Sequence, residues 1–372
     1  MSPTPADSVA PPRHRGRYAS SARLAGERRE HASLTGKLIR DGYTIHAPTN
    51  PTKIQGTAGM NLSETSDQLR TLRDFIRWGA SRFQEKRLFF GHGTDNALDE
   101  AAHLTLHALH LPYTLPDHYL DARLTGSEIR KVLNLLERRV VERKPAAYLT
   151  REAWFAGLPF YVDERVLIPR SPIAELIDNH IQPWLTREPQ HILDLCTGSG
   201  CIGVALAHAF PEARVDATDI EPGPLEVAQR NVREHGLEKR MTVIESDLFD
   251  ALGEDRRYDL IVANPPYVPS ASMNRLPKEY RAEPNTALDG GESGLELILP
   301  LLCDAADYLT PDGLLIVEAG EAQPHLAKVL GDMELTWLEF EHGGEGVFLM
   351  TGEQAKERQA RFTQAADAMG LE

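Results

Sequence analysis

The 372-residue chain is long enough for two domains with substantial cores, and its 41% hydrophobic content is ordinary for a globular protein. Its net charge of −15 disfavours a polyanion such as DNA and suits a strongly basic partner, and no stretch approaches the roughly 18 apolar residues of a membrane span. Three cysteines without a CxxC pair indicate buried thiols in a reducing cytosol rather than disulfides or a metal site. We therefore expect a cytoplasmic protein that binds no metal, DNA or membrane, and the sequence leaves its oligomeric state open.

Residues 1–60 differ from the rest of the chain in composition. They are rich in Pro, Ser, Thr and Arg, and their nine basic and four acidic residues give a net +5, which leaves −20 for the remainder. This composition is typical of disordered segments. The arginines and serines also resemble a targeting peptide, although Pro11 and Pro12 disfavour an amphipathic helix there. We interpret the segment as an extension ahead of a start at Met60, or as a dispensable tail.

Residues 61–147 show a helical pattern. Apolar residues recur at spacings of three and four, and the first such set is Leu69, Leu72, Phe75, Ile76, Ala80 and Phe83. Gly91–Asn96 is expected to cap one helix, and Thr125–Glu128 to begin another. Three histidines share one helical face: His103, His107 and His110. No HExxH glutamate or cysteine accompanies them, so the pattern does not favour a zinc site.

Residues 148–170 carry aromatic and β-branched runs around Gly157–Pro159, which predicts a β-hairpin between two domains. Residues 171–372 alternate strand-like and helical patterns, as expected of an α/β domain. The last strands of its sheet are predicted over Leu314–Glu318, Thr336–Phe340 and Val347–Met350. Arg170 and Glu175, at the junction, are expected either to line the mouth of a cofactor cleft or to form a structural salt bridge.

Earlier strands of this domain end in polar residues. One ends at Asp194, before a glycine-rich turn whose backbone N–H groups attract polar or anionic groups. The next ends in Asp219, 19 residues after Gly200, where a carboxylate commonly binds both ribose hydroxyls. A third leads to Asp247, which we expect to accept a hydrogen bond from an adenine amino group, with Phe249 near the base.

A fourth strand, Tyr258–Ala263, leads into the tetrapeptide Asn264-Pro265-Pro266-Tyr267. The strand is almost wholly apolar, as is typical of a buried parallel strand, and ligands bind beyond the carboxyl ends of such strands. The two prolines have no backbone N–H, so the local backbone offers carbonyls without a competing donor. Acceptors beside a flat ring suit a substrate that presents an NH2 group, whereas the simpler alternative is an ordinary Pro-Pro turn.

The turn Gly198-x-Gly200-x-x-Gly203 also fits the dinucleotide fingerprint of dehydrogenases. Asp194, just before the turn, would repel a pyrophosphate but would favour a nearby ammonium or sulfonium group. The Asn264–Tyr267 tetrapeptide, moreover, has no role in hydride transfer. S-adenosylmethionine carries a positive charge and no phosphate, so we favour it as the cofactor.

Taken together, the turn after Asp194, the acid Asp219 and the Asn264–Tyr267 tetrapeptide resemble those of class I methyltransferases that methylate glutamine side-chain amides. Further segments are similar to the branch that acts on a ribosomal protein rather than on peptide release factors. They are Ala147–Phe155, Phe160–Glu164, Val166–Glu175 and Glu283–Leu295. Cys196 departs from the broader class, which often has a glycine there, and this leaves the local backbone shape open.

The resemblance implies a doubly wound α/β fold with a mainly parallel seven-stranded sheet and a smaller helical N-terminal domain that recognises the substrate. It implies methyl transfer from S-adenosylmethionine to a glutamine side-chain nitrogen in the third ribosomal protein of the large subunit. Peptide release factors and, less favoured, adenine N6 of DNA are the alternative substrates. The implied catalytic residues are Asn264, Pro265, Pro266 and Tyr267. The implied cofactor-binding residues are Asp194, Thr197, Gly198, Ser199, Gly200, Asp219, Asp247, Leu248 and Asn264.

Overall fold

The computed structural model describes residues 68–371. The predicted extension, residues 1–60, and the first residues of the predicted helical domain lie outside this range. Of the described residues, those at 68–112 and 116–371 belong to one compact unit, and the domain boundaries at 147 and 170 stay predictions. Within the same described part, each helix is too short or too polar to cross a lipid bilayer.

Amphipathic helices make up the first part of the described chain. They are α1 (Leu72–Glu85), α2 (Ala97–Ala108), α3 (Gly126–Glu142) and the short α4 (Ala146–Thr150). Phe75 of α1, Leu104 of α2 and Leu136 of α3 are buried in one shared core. Side chains spaced three and four apart lie on one face of each helix, so this core follows from the apolar periodicity of the sequence.

Short polar side chains begin two of these helices where the sequence predicts. The Asn96 side chain accepts hydrogen bonds from the backbone N–H groups of Leu98 and Asp99. Thr125 and Glu128 form a reciprocal capping box at the start of α3. Both starts are confirmed, because these side chains satisfy N–H groups that have no partner within the helix.

The predicted hairpin consists of two short antiparallel strands, β1 (Glu152–Phe155) and β2 (Leu158–Tyr161). Ala156 and Gly157 connect them with φ values of +46° and +70°. Two positive φ values suit a tight two-residue turn, whose twist matches that of the strands. Phe155 is buried against the core of the large sheet, so the hairpin packs on that sheet.

The large sheet has seven strands in the order β5-β4-β3-β6-β7-β9-β8. They are β3 (His191–Leu195), β4 (Arg214–Asp219), β5 (Met241–Glu245), β6 (Tyr258–Ala263), β7 (Leu309–Glu318), β8 (Thr336–Trp337) and β9 (Val347–Thr351). Strands β3 to β7 pair in parallel, whereas β9 is antiparallel to β7 and β8. The predicted mainly parallel seven-stranded sheet is confirmed.

Helices cover both faces of this sheet. They are α5 (Ile173–Asp178), α6 (Cys201–Ala209), α7 (Pro222–Glu234), α9 (Ile298–Tyr308), α10 (Gln323–Leu330) and α11 (Gly352–Met369). The four-residue α8 (Ser270–Met273), in the loop after β6, buries no side chain. Alternate residues of each strand face opposite cores: Leu193 faces one, and Ile192 the other. Strand β3 lies between β4 and β6, which follow it in sequence, so the chain direction across the sheet reverses there. In open α/β folds, ligands bind at such a switch point.

A buried ion network joins the first helices to a loop that follows β6. Arg139 of α3 is 1% exposed; its Nε donates to Glu100 of α2 at 2.6 Å and its Nη2 donates to the Phe89 carbonyl at 3.0 Å. The buried Glu279 lies 3.8 Å from Arg139 and 2.6 Å from Arg143. Buried charges require such partners, so the network fixes the helices against this loop.

The same loop contains a second buried carboxylate, Glu283. Arg170 donates two hydrogen bonds to it, at 2.5 and 2.9 Å, and the backbone N–H of Ile168 donates a third at 3.1 Å. His92 Nε2 lies 3.4 Å away. Burial alone would raise the pKa of Glu283, but His92 and Arg170 hold it at about 2. Glu283 therefore anchors the segment that follows the hairpin.

These contacts correct the expectation for Arg170 and Glu175. The two residues do not pair with each other: Arg170 binds Glu283, while Glu175 accepts hydrogen bonds from the backbone N–H groups of Glu341 and His342. Neither of them lines the cleft at the strand ends. Each of the two side chains instead binds a segment that is distant in sequence.

We expect Arg139→Met to lower the free energy of unfolding by about 3–5 kcal/mol, because it leaves the buried carboxylate of Glu100 without its cation. Arg138→Met on the same helix is the matched control. Arg138 is exposed and pairs with Glu142 one turn away, so its loss should cost about 0.5 kcal/mol or less. Urea unfolding of both variants measures the difference, and equal effects would contradict a structural role for the network.

Candidate active site

The buried side chain of Asp194 stabilises the turn between β3 and α6 by hydrogen bonds. Its Oδ2 accepts hydrogen bonds from Thr197 Oγ1 at 2.5 Å and from the Gly203 backbone N–H at 2.8 Å. The other oxygen, Oδ1, is buried without a hydrogen-bond partner in the described part of the chain. Burial raises the pKa of Asp194 to about 7, although the two hydrogen bonds oppose the shift. Asp194 thus shapes the turn and does not line the cleft.

The turn requires a left-handed backbone at three positions. Gly198 and Gly200 have φ values of +55° and +80°, and Cys196 has +57°. A β-carbon makes this conformation costly for most residues, and glycine adopts it readily. Cys196 nevertheless adopts it, so the backbone has the shape that a glycine would give. At Gly203 a Cβ would lie 3.0 Å from Oδ2 of Asp194, so a side chain there would crowd the carboxylate that holds the turn. The departure at Cys196 therefore leaves the turn intact.

Asn231 of α7 fixes the same turn to the hairpin, a role that the sequence analysis missed. Its Nδ2 donates to the carbonyl of Ser199 at 2.8 Å and to that of Tyr161 at 3.0 Å. Its Oδ1 accepts from the Tyr161 backbone N–H at 2.9 Å. A fully buried asparagine with three hydrogen bonds indicates a fixed connection. No pattern marks it in the sequence, because its partners are 32 and 70 residues away.

Asp219 lies at the end of β4 and lines the cleft. The backbone N–H groups of Gly198 and Glu221 donate to its two oxygens, at 2.9 and 3.2 Å. Burial raises its pKa, while these hydrogen bonds oppose the shift. A carboxylate has about four acceptor positions, so two remain for ligand hydroxyl groups.

Two apolar side chains lie near the ends of β4 and β5. Ile220 directly follows Asp219, is 58% exposed and lines the cleft, as Leu248 does. Ile220 was not predicted as a site residue, although an apolar residue directly after a strand-end acid is a usable signal. Asp247 is exposed and also lines the cleft. The expectation that Phe249 lies near a bound base is wrong, because Phe249 is buried and stacks on Tyr308 at 4.6 Å.

The Asn264–Tyr267 tetrapeptide begins where the buried strand β6 ends. Asn264 and Pro266 line the cleft, whereas Pro265 is buried beside it. Tyr267 follows Pro266 and is not part of the cleft lining; its hydroxyl donates to Glu318 at 2.9 Å. Val268 then forms a parallel bridge with Asp289. The tetrapeptide is therefore held at both ends by backbone pairing.

The cleft formed at these strand ends has a volume of about 190 Å³. Of the predicted cofactor residues, Gly198, Asp219, Asp247, Leu248 and Asn264 line it. Thr197, Ser199 and Gly200 lie in the turn without lining it. Two other segments, which were not predicted as site residues, also contribute walls. They are Arg165, Val166 and Leu167 after the hairpin, and Pro284, Thr286 and Ala287 in the loop after Glu283.

The cleft combines carboxylates with apolar walls. Acidic side chains at the ends of β4 and β5, Asp219 and Asp247, suit hydroxyl or amino donors. Among the described residues of the lining, Arg165 is the one basic side chain. Within residues 68–371, no group of three or more potential metal ligands occurs. Such a lining suits a nucleoside that carries positive charge better than one that carries phosphates.

Comparison with known proteins identifies the family. A family model described as the methyltransferase small domain matches residues 175–278. The chain is 50% identical over 290 residues to a ribosomal protein uL3 glutamine methyltransferase from Bordetella pertussis, which covers 77% of this chain and 97% of that protein. A protein of the same name from Xanthomonas campestris is 50% identical over 305 residues, 82% of this chain and 98% of its own. The chain belongs to the family of ribosomal protein uL3 glutamine methyltransferases.

Among solved structures, the hMettl16 catalytic domain is similar with a TM-score of 0.41 and 17% identity, over 60% of this chain and 80% of that one. The family assignment depends on the curated relatives, whose matches to this chain span the helices, the hairpin and the sheet. The class I methyltransferase fold expected from the sequence is confirmed.

The raised pKa of Asp194 predicts a pH dependence of stability. Its pKa rises from 3.8 to about 7 on folding, so its contribution to stability is largest below about pH 4 and is lost as the pH rises through about 7. Wild type should therefore lose about 2–3 kcal/mol relative to Asp194→Asn between pH 5 and pH 8. Urea unfolding without cofactor at both values measures this. A difference that does not change with pH would mean that Asp194 is already ionised at pH 5.

Proposed function

We propose that this protein transfers a methyl group from S-adenosylmethionine to the side-chain amide nitrogen of a glutamine in ribosomal protein uL3. One observation carries the proposal: curated relatives of that name are 50% identical to this chain over nearly their whole length. The net charge of −15 agrees with a basic protein as the substrate. The protein then acts in the cytoplasm, on its substrate protein and not on duplex DNA.

The cleft supplies groups that fit S-adenosylmethionine. Asp219 retains acceptor positions for ribose hydroxyls, and Ile220 and Leu248 offer apolar surfaces for the adenine ring. Asp247 is an acceptor for the adenine amino group, and the turn after Asp194 faces the rest of the molecule. When bound, S-adenosylmethionine supplies an electrophilic methyl group on a sulfonium.

The chain's own task is to make a carboxamide nitrogen reactive. An amide nitrogen is a poor nucleophile because its lone pair is delocalised into the carbonyl. As the nitrogen attacks, it gains positive charge and its N–H groups become stronger donors. The Asn264 side-chain oxygen and the Pro265 carbonyl oxygen accept hydrogen bonds from those N–H groups. The Tyr267 ring packs against the amide plane. Acceptors fixed in advance stabilise the transition state more than the ground state.

The rigidity of the tetrapeptide supports this assignment. Asn264 extends a strand that is buried throughout, and Val268 N–H and C=O bond to Leu288 and Gly290. A Cβ at Gly290 would lie 2.7 Å from the carbonyl oxygen of Pro266, so the neighbouring loop packs directly on the tetrapeptide backbone. No strong general base is required, because the methylated amide loses its extra proton to water.

Asn264→Ala should lower turnover on the order of a hundredfold to a thousandfold while leaving cofactor binding largely intact, because it removes one fixed acceptor. Isothermal titration with S-adenosylmethionine and a radiolabelled methyl assay with purified uL3 measure the two effects. Mass spectrometry of the product should show the increment of one methylene group on a glutamine. Wild-type turnover by the variant would remove Asn264 from the mechanism, and methylation of release factors in preference to uL3 would contradict the assigned substrate.

Asp219→Ala should weaken S-adenosylmethionine binding by about tenfold to a hundredfold, since hydrogen bonds to a charged group contribute about 1.5–3 kcal/mol. Asp216→Ala on the same strand is the matched control. Asp216 binds Arg256 and the Tyr258 hydroxyl away from the cleft, so its loss should leave the dissociation constant unchanged. Titration calorimetry compares the two variants. Equal weakening would indicate a general effect of damage to β4.

A further inference from the structure

Glu318, at the carboxyl end of β7, is a buried carboxylate that the mechanism above does not use. It is 5% exposed and receives hydrogen bonds from two hydroxyl groups. The Tyr267 hydroxyl donates to Oε1 at 2.9 Å, and the Ser171 hydroxyl donates to Oε2 at 2.5 Å. Strand β7 pairs with β6, so Glu318 and the tetrapeptide leave the sheet side by side. Burying a carboxylate is unfavourable, so its hydrogen bond to the aromatic residue of the tetrapeptide indicates a specific role.

The backbone around Glu318 is also shaped to the Tyr267 ring. Gly320, two residues further on, has a φ of +40°, and a Cβ there would overlap the ring. A Cβ at Gly294 would overlap the Tyr267 carbonyl oxygen. The ring is therefore confined by backbone on one side and held at its hydroxyl end by Glu318. Such close packing leaves the ring little freedom to rotate or shift.

The hydrogen-bond direction adds a further constraint. The Tyr267 and Ser171 hydroxyl groups each donate to a different oxygen of Glu318. The single hydroxyl hydrogen of Tyr267 is used in this bond, and Ser171 holds the second oxygen of Glu318. Burial raises the pKa of Glu318, while the bonds from Ser171 and Tyr267 and the charge of Arg170 oppose the shift.

We propose that Glu318 is a positioning residue that, together with Ser171, fixes the ring of Tyr267 beside the substrate amide. The inference rests on the proposed function, in which Tyr267 packs on the amide plane. A misplacement of about 1 Å near a reacting group can cost about a hundredfold in rate. The rate gained by fixing the ring therefore offsets the free-energy cost of burying Glu318. Glu318 itself does not contact substrate or cofactor in this scheme.

The test is a double-mutant cycle with Tyr267→Phe and Glu318→Gln, measured as kcat and KM for uL3 at saturating S-adenosylmethionine. Each single variant should lower kcat by about tenfold or more, with cofactor affinity unchanged. In the Tyr267→Phe background, Glu318→Gln should have almost no further effect on kcat, because the bond through which it acts is already absent. Independent, multiplying effects, or a wild-type kcat for Glu318→Gln, would overturn the inference.

Asp259→Asn is the matched control. Asp259 is a buried carboxylate at the amino end of β6, where it accepts hydrogen bonds from Arg187 and from the backbone N–H groups of Gln190 and His191. Its loss should lower the melting temperature but leave kcat at the wild-type value per cofactor-binding molecule. A fall in kcat equal to that of Glu318→Gln would mean that any buried carboxylate matters, which contradicts a positioning role.

Ser171→Ala gives a second variant if Glu318→Gln does not fold. It should lower kcat in the wild-type background and have no effect in the Tyr267→Phe background, and equal effects in both would overturn the inference. The wild-type rate distinguishes a failure of the proposed function from a failure of the positioning role of Glu318. Absence of uL3 methylation by wild type would contradict the proposed function and, with it, this inference. Normal wild-type turnover with independent variant effects would contradict the positioning role alone.

Discussion

Parallel pairing of β3 with β4 on one side and with β6 on the other is the constraint on which the site depends. Parallel strands run in the same direction, so their carboxyl ends meet at one edge of the sheet. The turn after Asp194, the carboxylate of Asp219 and the tetrapeptide from Asn264 to Tyr267 come together for that reason alone. The helices that cover both faces exclude water from the strands, and the residues that line the cleft lie beyond the carboxyl ends of the strands.

Buried carboxylates recur around this edge, and each has a structural task. Asp194 holds the turn, Glu283 anchors the segment after the hairpin, and Glu318 binds the hydroxyl of Tyr267. Burial of a charge is unfavourable, so each acid is matched with donors: those of Asp194 lie within its own turn, and those of Glu283 and Glu318 come from distant segments. Hydrogen bonds to a buried acid form only over narrow ranges of distance and angle. The surrounding loops can therefore adopt few other conformations. A site that must hold an amide in line with a methyl group benefits from such restriction.

The ion network of Arg139 and Glu279 extends this restriction to the first helices. Glu279 and Glu283 lie in the loop that follows the tetrapeptide, and Pro284 of the same loop lines the cleft. The first helices are thus fixed to the loop that borders the cleft by buried charge and not only by covalent connection.

The sequence by itself determined the elements and the strand-end residues. The apolar run Tyr258–Ala263 forms a strand with the predicted bounds, because a pattern of apolar residues acts locally. It did not determine which way a loop side chain points, so Phe249 was expected near the cleft although the core holds it. Tertiary structure alone decided the partners of Asn231 and Glu318, since those contacts join residues 32 to 147 positions apart. Hydrogen bonds across such separations depend on how strands and helices pack, and no local pattern records them.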